Sequence, residues 1–154
     1  MKKSVDAVRA ASVKRQARFQ FVIDELLPIR PAIKQAFGLT YVYLDEKLMI
    51  SLRDTVKQPQ YNGVWVYTQA EHIESLRREF PLLPRRCFWR SKKSGSGWII
   101  ISATLEDFEE YAFRACELVL RGDQRIGRLS RRIKGAVRPE YLEPVPRSPY
   151  PDAL

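Results

Sequence analysis

The chain has 154 residues, 45% hydrophobic and 11% aromatic, which is enough for one packed domain and too apolar for wholesale disorder. No apolar run approaches the ~20 residues of a bilayer-crossing helix, so no membrane partner is expected. The net charge of +9 is uneven: residues 1–37 carry eight Lys/Arg against three Asp/Glu, residues 38–120 eleven of each, and residues 121–154 eight against four. A neutral centre between basic flanks points to polyanions, which clustered cations attract through counterion release. Met1-Lys2-Lys3 leads into Asp6, Arg9, Lys14 and Arg15 without an apolar core, so a secretory leader is not expected. Cys87 and Cys116 lack CxxC spacing, and two lone thiols suit a reducing cytoplasm.

Val8, Ala11, Arg15, Phe19, Val22 and Leu26 fall three or four apart, predicting a helix over Ser4–Leu27. Residues 1–18 read as a basic helical extension and 19–134 as a single α/β domain. Pro28 and Pro31 end the helix, and Ala32–Ala36 read as a short turn before Phe37-Gly38. Leu39 to Leu44 then runs through the tight Asp45-Glu46-Lys47 turn into Leu48–Leu52, a hairpin of two apolar strands. The polar stretch Arg53–Tyr61 is a loop. Asn62-Gly63 opens a third strand, with Val64 and Val66 on one face and Trp65 and Tyr67 on the other.

Thr68-Gln69-Ala70-Glu71 has capping-box spacing and predicts a helix whose stripe is Ile73, Leu76 and Phe80 and which Pro81 and Pro84 close. Cys87–Arg90 is a fourth strand, Ser91–Gly97 a basic turn, and Trp98–Ser102 a fifth strand. Thr104 is placed to cap a long helix, Leu105–Arg121, with acids in its first turns and Gly122 at its end. Gln124–Lys134 reads as a short basic helix. Residues 135–154, with Pro139, Pro144, Pro146, Pro149 and Pro151, form an extended arm or a disordered tail. The fold class is α+β, a two-layer sandwich with an antiparallel five-stranded sheet in the order α-β-β-β-α-β-β-α, then a basic helix and a Pro-rich tail. One sheet face takes helices; the other is solvated or serves as an interface.

Several of these words resemble the TfoX N-terminal-like and YjbR (MmcQ)-like domains, small bacterial proteins with a fold akin to type III secretion chaperones. They are Phe37-Gly38, the hairpin Tyr41–Leu52 with its acidic turn, Leu76-Arg77-Arg78-Glu79-Phe80-Pro81, and the closing helix Phe108–Leu120. The likeness covers roughly residues 19–125. The family's usual Met before Phe-Gly is Ala36 here, and the basic N-terminal extension and Pro-rich tail fall outside its pattern. The resemblance implies competence-regulator association or a DNA-binding role, without a catalytic centre.

The residues themselves carry little chemistry. His72 is the sole histidine, and a Cys/His pair would need it aimed at Cys87 or Cys116. Glu106, Asp107, Glu109 and Glu110 read as helix-start charges before they read as metal ligands. Gly95-Ser96-Gly97 lacks the Lys-Ser/Thr of a phosphate loop. No enzyme and no cofactor is expected. Candidate DNA- or RNA-binding residues are Arg85, Arg86, Arg90, Lys92 and Lys93 around Trp89 and Trp98, and Arg125, Arg128, Arg131, Arg132 and Lys134 beyond the last long helix. Against this, the tryptophans can be core residues and the charges a solvated face. The second class of function is protein interaction or homodimerisation, with Tyr41, Tyr43, Trp65 and Tyr67 as candidate interface residues.

Overall fold

A computed structural model describes residues 18–129, and the expectations that fall on residues 1–17 and 130–154 lie outside it. Helix α1 (Gln20–Leu26) buries Val22, Ile23 and Leu26 and gives way to a 3-10 turn, Leu27–Ile29, where Pro28 removes a backbone donor. Arg30, in the left-handed region at φ 51, turns the chain back. The stretch expected as a turn, Ala32–Ala36, is strand β1, which pairs antiparallel with β2 (Leu39–Leu44). The correction has a local cause. Phe37 and Gly38 both take positive φ, at 56 and 79, a two-residue turn whose twist suits a hairpin.

Strand β3 (Lys47–Arg53) follows the Asp45-Glu46 turn, with a bulge in β2 and β3 pairing at Val42/Tyr43. Strand β4 (Gly63–Gln69) pairs with β3, and its Val64 and Val66 face away from Trp65 and Tyr67, as the alternation requires. Thr68 does not cap the next helix. It lies in β4, and its hydroxyl donates to the Gln69 and Arg125 carbonyls. The chain passes through a 3-10 turn (Ala70–His72) into the short helix α2 (Ile73–Arg77).

Strands β5 (Phe88–Arg90) and β6 (Ser96–Ser102) form the second hairpin. Helix α3 (Phe108–Leu120) starts three residues later than expected, with Asp107 at its N-cap and no side-chain cap; Thr104 does not cap it, and its hydroxyl bonds that of Ser102 at 2.8 Å. Gly122 (φ 72) closes it as expected: the Gly122 N–H reaches the Val119 carbonyl and the Asp123 N–H the Leu118 carbonyl, each at 3.0 Å.

The expected α+β, antiparallel class holds, but the sheet has seven strands in place of five, in the path β1-β2-β3-β4-β6-β5, with β7 (Arg128–Leu129) beside β3. Over its described part, the basic helix expected at Gln124–Lys134 is this returning strand. β3 and β4 pair only from Ile50↔Val66 to Arg53↔Gly63, then part. Into the gap come Ile126, bridged to Thr68, and Arg128 and Leu129, paired with Leu48 and Lys47. Gly127 makes the change of partner at φ 103, and an added Cβ there would meet Met49 Sδ at 2.6 Å.

Two apolar clusters lie on the two faces of the sheet. The larger contains every buried residue of the three helices, packed on Val42, Ile50, Val64, Val66, Ile99 and Ile101. The smaller is aromatic: Tyr41, Tyr43, Leu48, Trp65, Tyr67, Trp89, Trp98 and Ile100. None of α1, α2 and α3 contributes to it; Ala36, Leu39 and Tyr61 pack against it.

Candidate functional site: a cationic edge and an aromatic face

One edge of the sheet is β5, which pairs with β6 alone. Pro84, extended at φ −60 and ψ 152, starts a 3-10 turn at Arg85–Cys87 that points Cys87 inward and leaves Arg85 and Arg86 exposed. Phe88 and Trp89 then point to opposite faces of the sheet and are both buried, while Arg90 at the strand's end is exposed. The Ser91–Gly95 loop is closed by the Ser91 N–H on the Ser96 carbonyl (2.8 Å) and the Gly95 N–H on the Ser91 carbonyl (3.2 Å). Lys92 and Lys93 stand exposed within that loop. The sequence candidates Arg85, Arg86, Arg90, Lys92 and Lys93 are thus brought together on one edge. None of them forms an ion pair with an acid among the described residues.

The second basic group is used differently. Arg125 donates to Asp123 at 2.7 and 2.9 Å, to Glu79 at 2.9 Å and to the Ser75 carbonyl at 3.1 Å. Hydrogen bonds from Arg125 hold the Asp123 carboxyl well below the usual carboxylate range, and the same bonds raise the guanidinium. Arg114 and Arg121 also approach Glu79, at 3.6 and 3.8 Å. This cluster pins the turn after α3 to the end of α2, and its guanidinium at 125 is committed to carboxylates of its own chain. Arg128 lies 5.0 Å from the Tyr67 ring centre, and burial lowers its pKa. Arg131, Arg132 and Lys134 lie outside the described residues.

Tyr41, Tyr43, Trp65 and Tyr67 do share one face, with Trp89, Trp98, Leu48 and Ile100. Trp65 and Tyr67 are 0% exposed, and Tyr41 and Tyr43 1%. Trp89 and Trp98 sit opposite one another across β5 and β6 and stack with ring centres 6.1 Å apart at 4°. They are buried, 2% and 6% exposed, so they bind each other and not an incoming base. The Tyr67 hydroxyl bonds Ser51 Oγ at 2.9 Å, and Trp65 Nε1 donates to the Tyr61 carbonyl at 2.8 Å. Burial raises the pKa of all three tyrosines of this face.

His72 is half-buried, 3.6 Å from Glu71. Cys87 and Cys116 are free and buried, and burial pushes their thiols up to about 11 and about 12. A nucleophilic cysteine needs the opposite shift. Among the described residues no group of three His, Cys, Asp or Glu could hold a metal ion.

The sequence reading missed Arg53 and the Glu79–Asp123–Arg125 cluster. Arg53 is 2% exposed and donates to the carbonyls of Lys57 and Gln58 and to Asn62 Oδ1, so it organises the β3–β4 loop. No local signal marks it, because a cation at the end of a strand is ordinarily solvated. No family model, no curated protein and no solved structure matches the chain. Among the described residues, no helix is long and apolar enough to cross a membrane.

Proposed function

We propose that the chain is a non-enzymatic binding domain of the cytoplasm that holds nucleic acid by its phosphates along the β5 edge. One observation carries this reading: Arg85, Arg86, Arg90, Lys92 and Lys93 are exposed within nine consecutive positions and have no acidic partner among the described residues. Five cations on a strand edge and its hairpin loop match a run of phosphates, and the stacked Trp89–Trp98 pair joins the two strands of that hairpin. The cytoplasmic assignment rests on the two free thiols. Kinship with the TfoX N-terminal-like and YjbR-like domains is likewise a proposal, resting on the residue words between Phe37 and Leu120.

The test is a fluorescence-anisotropy titration with labelled duplex DNA and with single-stranded RNA at 50 and 200 mM salt. Five duplex phosphates give a log–log slope of about −4.5, close to a 500-fold loss of affinity across that range. No binding at 50 mM ends the proposal, and binding indifferent to salt assigns it to another surface.

The second reading is a protein-interaction or homodimerisation module. It rests on Tyr41, Tyr43, Trp65 and Tyr67 lying together on the face that α1, α2 and α3 do not cover. Light scattering on the full chain distinguishes it: a dimer mass supports it, and a monomer at every concentration removes self-association.

A further inference from the structure

The cations of the β5 edge have a neighbour on helix α2. Alternation along β5 sends Phe88 and Arg90 to the helix side of the sheet and Trp89 to the other. Helix α2 lies along that side. A Cβ on Gly97, the partner of Arg90, would stand 2.5 Å from Ile73 Cδ1, and one turn further the Arg77 guanidinium lies 5.5 Å from the centre of the Phe88 ring. Ile73 to Arg77 rises about 6 Å along the helix, and Arg90 to Phe88 spans about 6.6 Å along the strand, so the two elements keep step. Arg77 thus continues the row of Arg85, Arg86 and Arg90 from the sheet edge onto the helix.

What sets Arg77 apart is its partner. Its Nη1 donates to both carboxylate oxygens of Glu74, one turn earlier, each at 3.2 Å. The pair lies at the surface, with 33% of the Arg77 side chain and 70% of the Glu74 side chain exposed. Exposed pairs of this kind add little to stability. This one changes what a polyanion meets, because the pair has no net charge and the carboxylate repels any phosphate drawn to Arg77. The acids that flank α2 are engaged elsewhere: Glu71 lies 3.6 Å from His72, and Glu79 accepts from Arg125 at 2.9 Å.

We propose that Glu74 limits the phosphate-binding surface. It cancels Arg77, the cation that would carry the row from β5 onto α2, and holds the surface at five phosphate contacts where six cations are in place. The inference rests on the nucleic-acid reading of the β5 edge and adds to it a residue that sets how tightly that edge holds. The withheld contact speeds release, since affinity differences between related complexes reside mostly in dissociation.

The test repeats the duplex titration at 50 and 200 mM salt with Glu74→Gln, with Glu74→Gln combined with Arg77→Met, and with Glu46→Gln. Met keeps an apolar stem over the Phe88 ring while removing the charge. Glu46, exposed in the turn between β2 and β3, controls for the change in net charge. The native chain should give a log–log slope of about −4.5 and Glu74→Gln about −5.4, with binding about tenfold tighter at 50 mM. The double variant should return to about −4.5, and Glu46→Gln should stay there.

An unchanged slope for Glu74→Gln, beside a native chain that binds with the slope of five contacts, overturns the limiter and leaves the β5 edge standing. Equal steepening by Glu46→Gln, or steepening that survives in the double variant, assigns the gain to net charge and overturns it as well. No binding by the native chain at 50 mM overturns the limiter together with the reading beneath it. Should the double variant fail to fold, the comparison of Glu74→Gln with Glu46→Gln decides.

Discussion

Asn62 shows how one side chain can hold a loop that has no regular structure of its own. Its Oδ1 accepts from Arg53 Nη1 at 2.8 Å and from the Thr55 N–H at 3.0 Å, while its Nδ2 donates to the Thr55 carbonyl at 2.8 Å. Its backbone carbonyl also accepts from the Ala103 N–H at 2.8 Å, tying the loop to the end of β6. Asn62→Ala keeps that backbone bond but strands the Thr55 amide and part of a buried guanidinium. The expected loss is about 2–3 kcal/mol in a urea unfolding curve; a loss below about 0.5 kcal/mol would show that water replaces the amide. Sequence alone marked Asn62-Gly63 as the start of a strand, because Gly63 and the Val-Trp-Val-Tyr alternation are local signals. It could not show Arg53 buried beneath the loop, since a cation ending a strand is ordinarily solvated.

At the scale of elements, the segment from Asp123 to Leu129 behaves as a latch. Arg125 fastens it to α2 through Glu79, and Gly127 admits it between β3 and β4. Asp123 sets the sign of its pH response. Its folded pKa is depressed by Arg125, so its contribution to stability is complete above the unfolded value of about 3.9 and is lost as pH falls toward the folded one. Denaturant midpoints measured from pH 6 down to pH 2 should therefore fall steeply below about pH 4, and Asp123→Asn should flatten that fall. Equal slopes for the two proteins would contradict the latch. Gly127→Ala combines a left-handed backbone with a clash against Met49, and is expected to cost at least about 2 kcal/mol in the same assay. This element was illegible in the sequence. Ile126, Leu129 and Ile133 have helical spacing, and the partners that override it over the described part, Lys47, Leu48 and Thr68, sit far earlier in the chain. β1 was missed for a more local reason: Ala32–Ala36 is short and mixed, and it became a strand through the turn at Phe37-Gly38.

Among the described residues, exposed cations gather on the β5 edge while a cluster of Trp and Tyr side chains is buried on one face of the sheet. Helices and half of the sheet form an ordinary core, the β5 edge carries unmatched cations, and the remaining face gathers the tryptophans. The edge is built on exposed side chains, so Lys92→Ala with Lys93→Ala should leave the melting midpoint within about 2 °C. The same pair should make the salt slope for duplex DNA shallower by about 2. An unchanged slope would place the phosphates elsewhere. That separation was partly legible: the loop cations were visible as a cluster, and Trp65 and Tyr67 as a face. The capture of Arg125 by Glu79 was not, because it depends on a contact between residues 46 apart.

The insertion of β7 also governs when the protein can be finished. The strands it separates are made early, yet the residues that fill the gap come near the end of translation. Until Leu129 has cleared the ribosome, a nascent chain holds an unzipped seam between β3 and β4, and messages truncated before that codon yield a sheet that cannot be sealed.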